Sequence, residues 1–412
     1  MRSAVVVGAG IGGLAVAGAL ARTGWQVTLL ERADRLRADT AALLIWPDGV
    51  RALRALGLAD GLRAVASPAP STGIRRPNGQ WLVQPDLANG SETGEDAESL
   101  VVHREDLHDT LVAGLGDRID IRTGVAVRSV RLARDAPPAV SDSRATWEAD
   151  LIVAADGVDS IVRRRLAPES TAVAAGSAAW RAVIPWFRAP SLPDLDSPGS
   201  PGLVGAAGTS LGGETLGAGH RFRYALLGER GATGTSSRRG VYWAATVPGA
   251  YRPEPPLTQL SLLRRWFADW HSPIGELFAA TEPGDLIQHP VAELRPIPRS
   301  FSFRAGQGGY ILLGDAAHAM SHHLSHGACL ALEDAAALQS LLRDATPGRS
   351  LGTAIDAYTR ERRPRLARIV RQSRRVGAMF AANGSLAGRA RDAALGLSPG
   401  LLGRVLRGSR TH

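Results

Sequence analysis

The sequence predicts an α/β protein: a Rossmann-like dinucleotide-binding sheet interrupted by a second domain built on an antiparallel sheet. Three observations predict it. The chain opens with an apolar run, Val5-Val6-Val7, that enters the turn Gly8-Ala9-Gly10-Ile11-Gly12-Gly13. A second buried run, residues 310–313, delivers Gly314-Asp315-Ala316-Ala317-His318 and then a helical stretch over 327–342. Between these, from about residue 177 to 248, strand-like segments are divided by glycine, serine and proline, the pattern of an antiparallel sheet.

The opening unit reads strand, turn, helix, strand, acid, the order a dinucleotide site requires. Gly8 permits the tight turn. Gly10, without a side chain, lets the backbone approach a pyrophosphate, and Gly13 lets the helix over 12–23 lie close on the sheet. The phosphates then face free N–H groups at the helix N-terminus. Glu31 ends the second strand, over 27–30, where a carboxylate can accept from a ribose; it favours the adenosine half of FAD or NAD and argues against a 2′-phosphate. An ordinary glycine-rich turn would need neither the second strand nor the terminal acid.

With 412 residues there is room for a large core and two domains. Hydrophobic content of 44% with 21% charged residues reads as soluble and globular. No apolar run reaches the roughly 18 residues of a membrane span. The chain enters its first strand without a charged leader and apolar secretion segment, and the single cysteine, Cys329, suits a reducing compartment, so a cytoplasmic location is expected. The +9 charge comes from 48 arginines; lysine is absent, which removes Schiff-base and lysine general-base chemistry. From Tyr358 onward 13 arginines face only Glu361 and Asp392. With almost no aromatic platforms among them, this reads as a solvated helix face, with neither nucleic acid nor stable membrane insertion expected.

In chain order, residues 39–46 form a loop-to-strand segment, and 47–56 a helix opened by Pro47 with Val50, Leu53 and Leu56 on one face. Two extended pieces flank the turn Pro77-Asn78-Gly79, and 86–98 is an exposed acidic loop. A helix begins near Arg104 and runs to about Leu115; 119–122 is a return strand. Residues 125–133 and 145–147 make an antiparallel excursion across Pro137-Pro138, before a strand over 151–154 ends in Ala155-Asp156-Gly157. Strands follow over 180–186, 216–227 and 241–247, with a polar insertion at 231–240 and a helix over 257–268. Residues 358–380 form a long helix broken at Pro364, and 395–406 a short one.

Taken together, the Gly8–Gly13 turn, the Asp156-Gly157 pair and the Gly314-Asp315 segment resemble the single-component FAD-dependent aromatic hydroxylases, the family of para-hydroxybenzoate hydroxylase. The resemblance covers nearly the whole chain. It implies a Rossmann-like FAD-binding fold with an inserted antiparallel-sheet substrate domain. The implied division is 1–72, 98–175 and 285–357 for FAD, 73–97 and 176–284 for substrate, and a C-terminal helical segment over 358–412. It implies FAD held by Gly8, Gly10 and Gly13 at the pyrophosphate, by Glu31 with Arg32 at the adenosine ribose, and by backbone at Val127 near the adenine. Arg104 and Asp315 would meet the polyol and phosphate region, Asp156 with Gly157 would serve both FAD and NAD(P)H binding, and Gly327 and Ala328 would aim a helix N-terminus at the flavin. NAD(P)H would be a transient reductant, O2 the co-substrate, and the substrate an aromatic or polyketide-like secondary metabolite, hydroxylated, epoxidised or oxidised in the Baeyer–Villiger sense. A monomer or homodimer is expected.

One stretch departs from the family. After Gly-Asp-Ala-Ala-His, relatives run approximately Ala-Met-Ser/Thr-Pro-X-Leu-Gly-Gln-Gly; here His322 replaces the proline, Ser325 a glycine and His326 the glutamine. Thr40, Ala41 and Ala42 stand where relatives often carry glycines, and Arg223 and Leu226 where they often show glycine and proline. Three readings stay open. The loop reshapes an ordinary monooxygenase site; or FAD is weakly held, structural or lost and His322 with His326 performs non-redox acid–base cyclisation, rearrangement or elimination; or the chain carries another flavin oxidation or is inactive. His322 and His326, four apart, would meet across one helical turn, whereas adjacent His322 and His323 share no face easily, so no metal site is expected. Candidate catalytic residues are therefore His322, His323, Ser325, His326, Arg181 and Tyr224. Trp180, Phe222 and Trp243 are further pocket candidates, of which about half must face away by period-two geometry. Arg181 or Arg223 would hold a phenolate or carboxylate. Cys329 is expected to be packed and inert.

Overall fold

Four apolar runs form the centre of the six-stranded first sheet of the computed structural model, which describes residues 1–69, 73–84, 98–133, 135–190, 212–227, 240–249, 253–381, 388, 391–393 and 395. Its strand order is Ser302–Ala305, Gly308–Leu312, Leu151–Ala154, Ser3–Val7, Gln26–Leu30, Ile119–Arg122. All neighbours are parallel except the Ser302–Ala305 hairpin at one edge. Leu151–Ala154 and Gly308–Leu312 are buried along their whole length, as expected of parallel strands covered on both faces. The Ile11–Arg22 helix packs against the Gly327–Leu342 helix, and its small residues explain the approach. A Cβ on Gly12 would stand 2.5 Å from the Leu313 side chain and 3.2 Å from that of Ala331.

A seven-stranded second sheet runs Ile287–Arg295, Thr171–Pro185, Gly240–Pro248, Arg221–Leu227, Gly212–Leu216, Ile74–Arg75, Trp81–Val83. Its two faces separate by residue parity. Trp180, Ile184, Phe222, Trp243 and Val247 pack beneath the Pro256–Trp266 and Ile274–Ala280 helices. Val183, Ala225, Tyr242 and Ala244 turn the other way, toward Ala42 and Val101 of a small sheet built from Ala42–Ile45, Leu100–His103 and Ser67–Pro68. The excursion expected across Pro137-Pro138 is a three-stranded antiparallel sheet, Thr146–Glu148, Ala139–Ser141 and Ser129–Val130.

Several expectations change. Residues 287–295, assigned by sequence to the FAD-binding part, form the edge strand of the second sheet against Thr171–Pro185, so the chain leaves that sheet later than expected and enters it earlier. The Arg349–Phe380 helix begins before residue 358 and continues through Pro364, whose ring is exposed and whose missing N–H costs a single helical bond. The loop over 86–98 and the insertion over 231–240 lie outside the described residues but for their end positions, as does all of the 395–406 helix but Leu395. Among the described residues no helix is long and apolar enough to cross a membrane.

Candidate active site

The glycine turn is built by exclusion. Gly8 sits at φ 98°, and a Cβ there would meet the Ala155 carbonyl oxygen at 2.5 Å. A Cβ on Gly13 would lie 1.8 Å from the Gly8 carbonyl oxygen, so helix and turn touch backbone to backbone. Gly10 is different: a Cβ there would meet nothing within 4 Å, because the residue faces open space. It is the N-cap of the Ile11–Arg22 helix and gives no side-chain cap, leaving the first-turn N–H groups turned to that space. Glu31 ties the turn to the second strand: its Oε2 accepts from the Ala9 N–H (2.8 Å) and its Oε1 from the Ala33 N–H (2.9 Å).

Gly10, Ile11 and Gly12 open into a cavity of about 440 Å³ that runs between the two sheets. Arg104, Ala155, Gly157, Gly314, Asp315, Gly327 and Ala328 border it, so the predicted cofactor motifs converge although they come from distant segments. Arg104 opens the Arg104–Ala113 helix, reaches Asp39 at 3.5 Å, and keeps a buried Nε without a partner. Gly327 is the first residue of its helix, and a Cβ there would also meet nothing within 4 Å. Six predicted cofactor residues stand off the cavity wall: Gly8, Gly13 and Glu31, which build the turn behind it, and Asp156, Val127 and Arg32. Asp156 turns its Oδ2 to the Ile161 N–H (2.9 Å), while its buried Oδ1 has no partner; burial raises its carboxyl pKa. Val127 is buried in the first core, and Arg32 is exposed to solvent.

A charged network supports the Gly314-Asp315 turn from behind. Gly314 takes φ 60° and its N–H donates to Asp334 Oδ2 (3.3 Å). The same oxygen accepts from His318 Nε2 (2.7 Å), and Oδ1 accepts from Arg362 Nε (2.7 Å). Arg362 and Arg365 both bond Glu333, and Arg365 continues to Asp48 (2.6 Å). Asp334 is fully buried. Burial pushes its carboxyl up, but Arg362 and His318 outweigh that and hold it below the usual carboxylate range.

The histidine loop differs from its expected form. Residues 322–324 make a single 3-10 turn, and Ser325 follows in the left-handed region at φ 54°, so His322 and His326 do not share a helix face. His326 does not border the cavity. It is 1% exposed, its ring stacks on Trp46 at 5.3 Å between centroids, and its Nδ1–H donates to the Leu324 carbonyl (2.6 Å). His322 pairs instead with His323, the two rings stacked at 5.0 Å, a neighbour contact that the 3-10 turn permits and a regular strand would forbid. Both border the cavity. His322 Nε2 lies 2.7 Å from Thr246 Oγ1. Burial, the neighbouring His323 ring and Arg181, Arg223 and Arg221 drive His322 well below the ordinary histidine value; burial and the same Arg221 and Arg223 bring His323 down to about 3. At neutral pH both rings are uncharged. Among the described residues no three metal-ligating side chains gather.

The roof of the cavity is the parity face that carries Arg181, Arg221, Arg223 and Tyr242. Trp180, Phe222 and Trp243 point into the opposite, helix-covered core, and Tyr224, though it borders the cavity, packs its ring with that same cluster and over Gly213. Period-two geometry required such a division; only the packing of the helices decided which half is roofed away. Arg221 is satisfied by protein: Glu214 takes its Nε and Nη2 (2.7 and 2.9 Å), the His323 carbonyl its Nη1 (3.0 Å), and Phe380 its π-face. Arg223 gives one bond, Nη1 to Ser325 Oγ (2.8 Å). Cys329 is buried off the cavity, its thiol pushed up to about 12 by burial, and is inert at neutral pH. Sequence reasoning missed Tyr242, Thr246, Trp46 and the Glu214–Arg221 pair. Parity would have coupled Tyr242 to Arg181 and Arg223 once the roofed face was known.

The residues present fit FAD. Two glycines leave open space at two helix N-termini, Asp315 is exposed beside them, and a buried guanidinium nitrogen of Arg104 lacks an acceptor. The comparisons agree. A family model described as an FAD binding domain matches residues 1–202 and 298–373. The 3-amino-4-hydroxybenzoate 2-monooxygenase of Streptomyces cremeus is 31% identical over 376 residues, covering 91% of this chain and 86% of its own. The 3-hydroxybenzoate 6-hydroxylase of Klebsiella oxytoca is 28% identical over 391 residues, covering 92% and 89%. The structure of Klebsiella pneumoniae HpxO complexed with FAD and uric acid shares the fold at a TM-score of 0.79 with 24% identity, covering 99% of this chain and 96% of that one. A glycine cradle closed by backbone contact and a second helix N-terminus across the same cavity thus agree with close to full-length sequence similarity: the chain belongs to the FAD binding domain family and is an FAD-dependent flavoprotein monooxygenase of the aromatic hydroxylase kind.

Proposed function

We propose that this enzyme uses NAD(P)H and O2 to insert one oxygen atom into an aromatic or heteroaromatic small molecule, of the kind found among aromatic secondary metabolites. The overall balance is arene, O2, NAD(P)H and a proton giving hydroxyarene, water and NAD(P)+. The observation that carries this reading is one continuous cavity of about 440 Å³, which joins the Gly10–Gly12 helix start, Asp315 and the Gly327 helix start to a chamber under Arg181, Arg223 and Tyr242. FAD, when bound, supplies the activation of O2 with electrons taken from the nicotinamide. The chain's own groups do the rest. Gly8, Gly10 and Gly13 admit the pyrophosphate to the N–H groups of the first helix turn. Glu31, Arg32 and the backbone near Val127 serve the adenosine end; Arg104 and Asp315 serve the polyol and phosphate region, and Asp156 with Gly157 serves both FAD and NAD(P)H binding. Gly327 and Ala328 present N–H groups and a positive helix end to the reacting ring system, where negative charge develops. The second sheet excludes water above it.

The residues 73–84 and roughly 171–295 form the substrate-binding part in this reading, and the remainder binds FAD. A cytoplasmic location and a monomeric or homodimeric state belong to the same proposal. The non-redox alternative through His322 and His326 is not favoured, because His326 is packed under Trp46 away from the cavity.

The test is spectroscopic. The purified protein mixed with FAD is expected to show a bound-flavin visible spectrum that bleaches anaerobically with NADH or NADPH and recovers on admitting O2, faster in the presence of an aromatic substrate. A protein that stays colourless at high FAD overturns the reading.

A further inference from the structure

The Arg349–Phe380 helix sorts its arginines by side. From residue 360 to its end it carries eight. Half of them are spent on the protein. Arg362 bonds Asp334 and Glu333, Arg365 bonds Glu333 and Asp48, Arg374 bonds Glu293, and Arg363 donates to the Pro298 carbonyl (3.0 Å). The rest, Arg360, Arg368, Arg371 and Arg375, bond no group among the described residues. At about 100° per residue these four fall within about 80° of one another around the helix, and they span about 22 Å along its axis. Arg360, Arg371 and Arg375 are exposed and Arg368 is half-buried. Pro364 and Ala378, exposed on the same side, are too short to screen them. None of the four borders the cavity.

The stripe works against the helix that carries it. Arg368 and Arg371 are three apart, and Arg371 and Arg375 four apart, spacings at which like charges face each other and weaken a helix. An acid at 364, 367 or 372 would relieve the repulsion, but the chain places Pro364, Ala367 and Gln372 there. From 357 to 380 the only carboxylate is Glu361, and Asp356, just before, is already bonded to Arg304. A face kept for solubility alone would intersperse both signs.

We propose that Arg360, Arg368, Arg371 and Arg375 form a docking face for an anionic phospholipid surface, on which the enzyme sits peripherally without inserting a segment. The charge is complementary: four unpaired cations in a row, on a protein of net charge +9, meet a plane of phosphates. Each guanidinium can hold a phosphate through two parallel N–H groups. Four tips on one side of one helix reach such a plane together. No aromatic stands from 359 to 379 to stack a nucleic-acid base. The apolar side of the helix stays in the core, where Leu366, Ile369 and Val370 are buried.

Vesicle co-sedimentation of the full-length, FAD-loaded protein tests this. The probes are vesicles of phosphatidylcholine alone and of phosphatidylcholine with about 30% phosphatidylglycerol. Binding to the anionic vesicles is expected to exceed binding to the neutral ones by about tenfold or more, each arginine contributing up to about fivefold. It should fall as sodium chloride rises from about 0.05 to 0.5 M. Arg360→Gln, Arg368→Gln, Arg371→Gln and Arg375→Gln together should remove the preference; Arg371→Gln with Arg375→Gln, a milder change, should remove part of it. A control loses the same charge elsewhere, through Arg118→Gln, Arg128→Gln, Arg164→Gln and Arg265→Gln, all exposed, and should bind as the unaltered protein does. Retained FAD content and thermal midpoint identify variants that fold. No preference for anionic vesicles overturns the face. A preference that falls equally in the control assigns the binding to net charge and overturns it too. Duplex DNA that displaces the protein from vesicles at equal phosphate concentration makes this a nucleic-acid face, and the lipid assignment falls.

Discussion

At the residue scale, two glycines of one turn have opposite tolerances. Gly13 has no room, since a Cβ would overlap the Gly8 carbonyl oxygen at 1.8 Å. Gly13→Ala is expected to cost about 1–3 kcal/mol of stability through forced backbone movement, seen as a lowered thermal midpoint even without FAD. Gly10 has ordinary backbone angles and open space before it. Gly10→Ala should leave apoprotein stability within about 0.5 kcal/mol while weakening FAD in a fluorescence titration, because the added methyl group occupies the phosphate approach. An unchanged FAD affinity in Gly10→Ala would remove the phosphate from that spot.

At the scale of elements, the Asp334 network fixes three of them. Its carboxylate joins the Gly314 turn, the short Asp315–His318 helix and the Arg349–Phe380 helix through the Gly314 N–H, His318 and Arg362. Asp334→Ala leaves Arg362 charged and half-stripped of partners in the interior, and is expected to destabilise the fold by about 3–5 kcal/mol, measured by urea denaturation. Because its folded pKa is depressed, Asp334 contributes stability that is present above the ordinary carboxylate value of about 4 and is lost as pH falls through the folded value. The histidine loop is tied in the same manner. Its carbonyl at His323 accepts from Arg221, and Ser321 bonds Ser373 of the long helix (2.9 Å).

At the scale of the whole molecule, the seam between the sheets collects neutral histidines. His322 lies well below its ordinary value through burial, then the His323 ring and nearby arginines; His323 lies at about 3 and His289 at about 4 through burial first and then nearby arginines. Their folded pKa values are depressed, so the unfolded chain binds more protons between the unfolded value near 6.5 and those folded values. Stability is therefore complete above about pH 6.5 and falls progressively as pH drops toward 4. Thermal midpoints at pH 7 and pH 5 should differ in that direction, and by less in His323→Gln. A midpoint that rises on acidification would contradict the neutral seam.

The legible part of the sequence was its local backbone demands. Gly8, Gly13 and Gly314 mark places where only a residue without a Cβ fits or turns, and such demands are written within a few residues of chain. The apolar strands before them bury both faces, so the FAD-binding sheet and the position of Asp315 followed from the chain itself. The second sheet's existence followed from its strand pattern, but its extent did not, because the Ile287–Arg295 strand is an edge with mixed burial and no clean alternation. The site's chemistry was decided by tertiary structure. Which partners hold Arg221 and Arg223 is decided by Glu214, seven residues from Arg221, and by the histidine loop 102 residues away. Whether His322 or His326 meets the cavity depends on Trp46 from the other end of the chain. Partners brought together only by packing set burial, and burial set which of these groups are charged, neutral or free to bind.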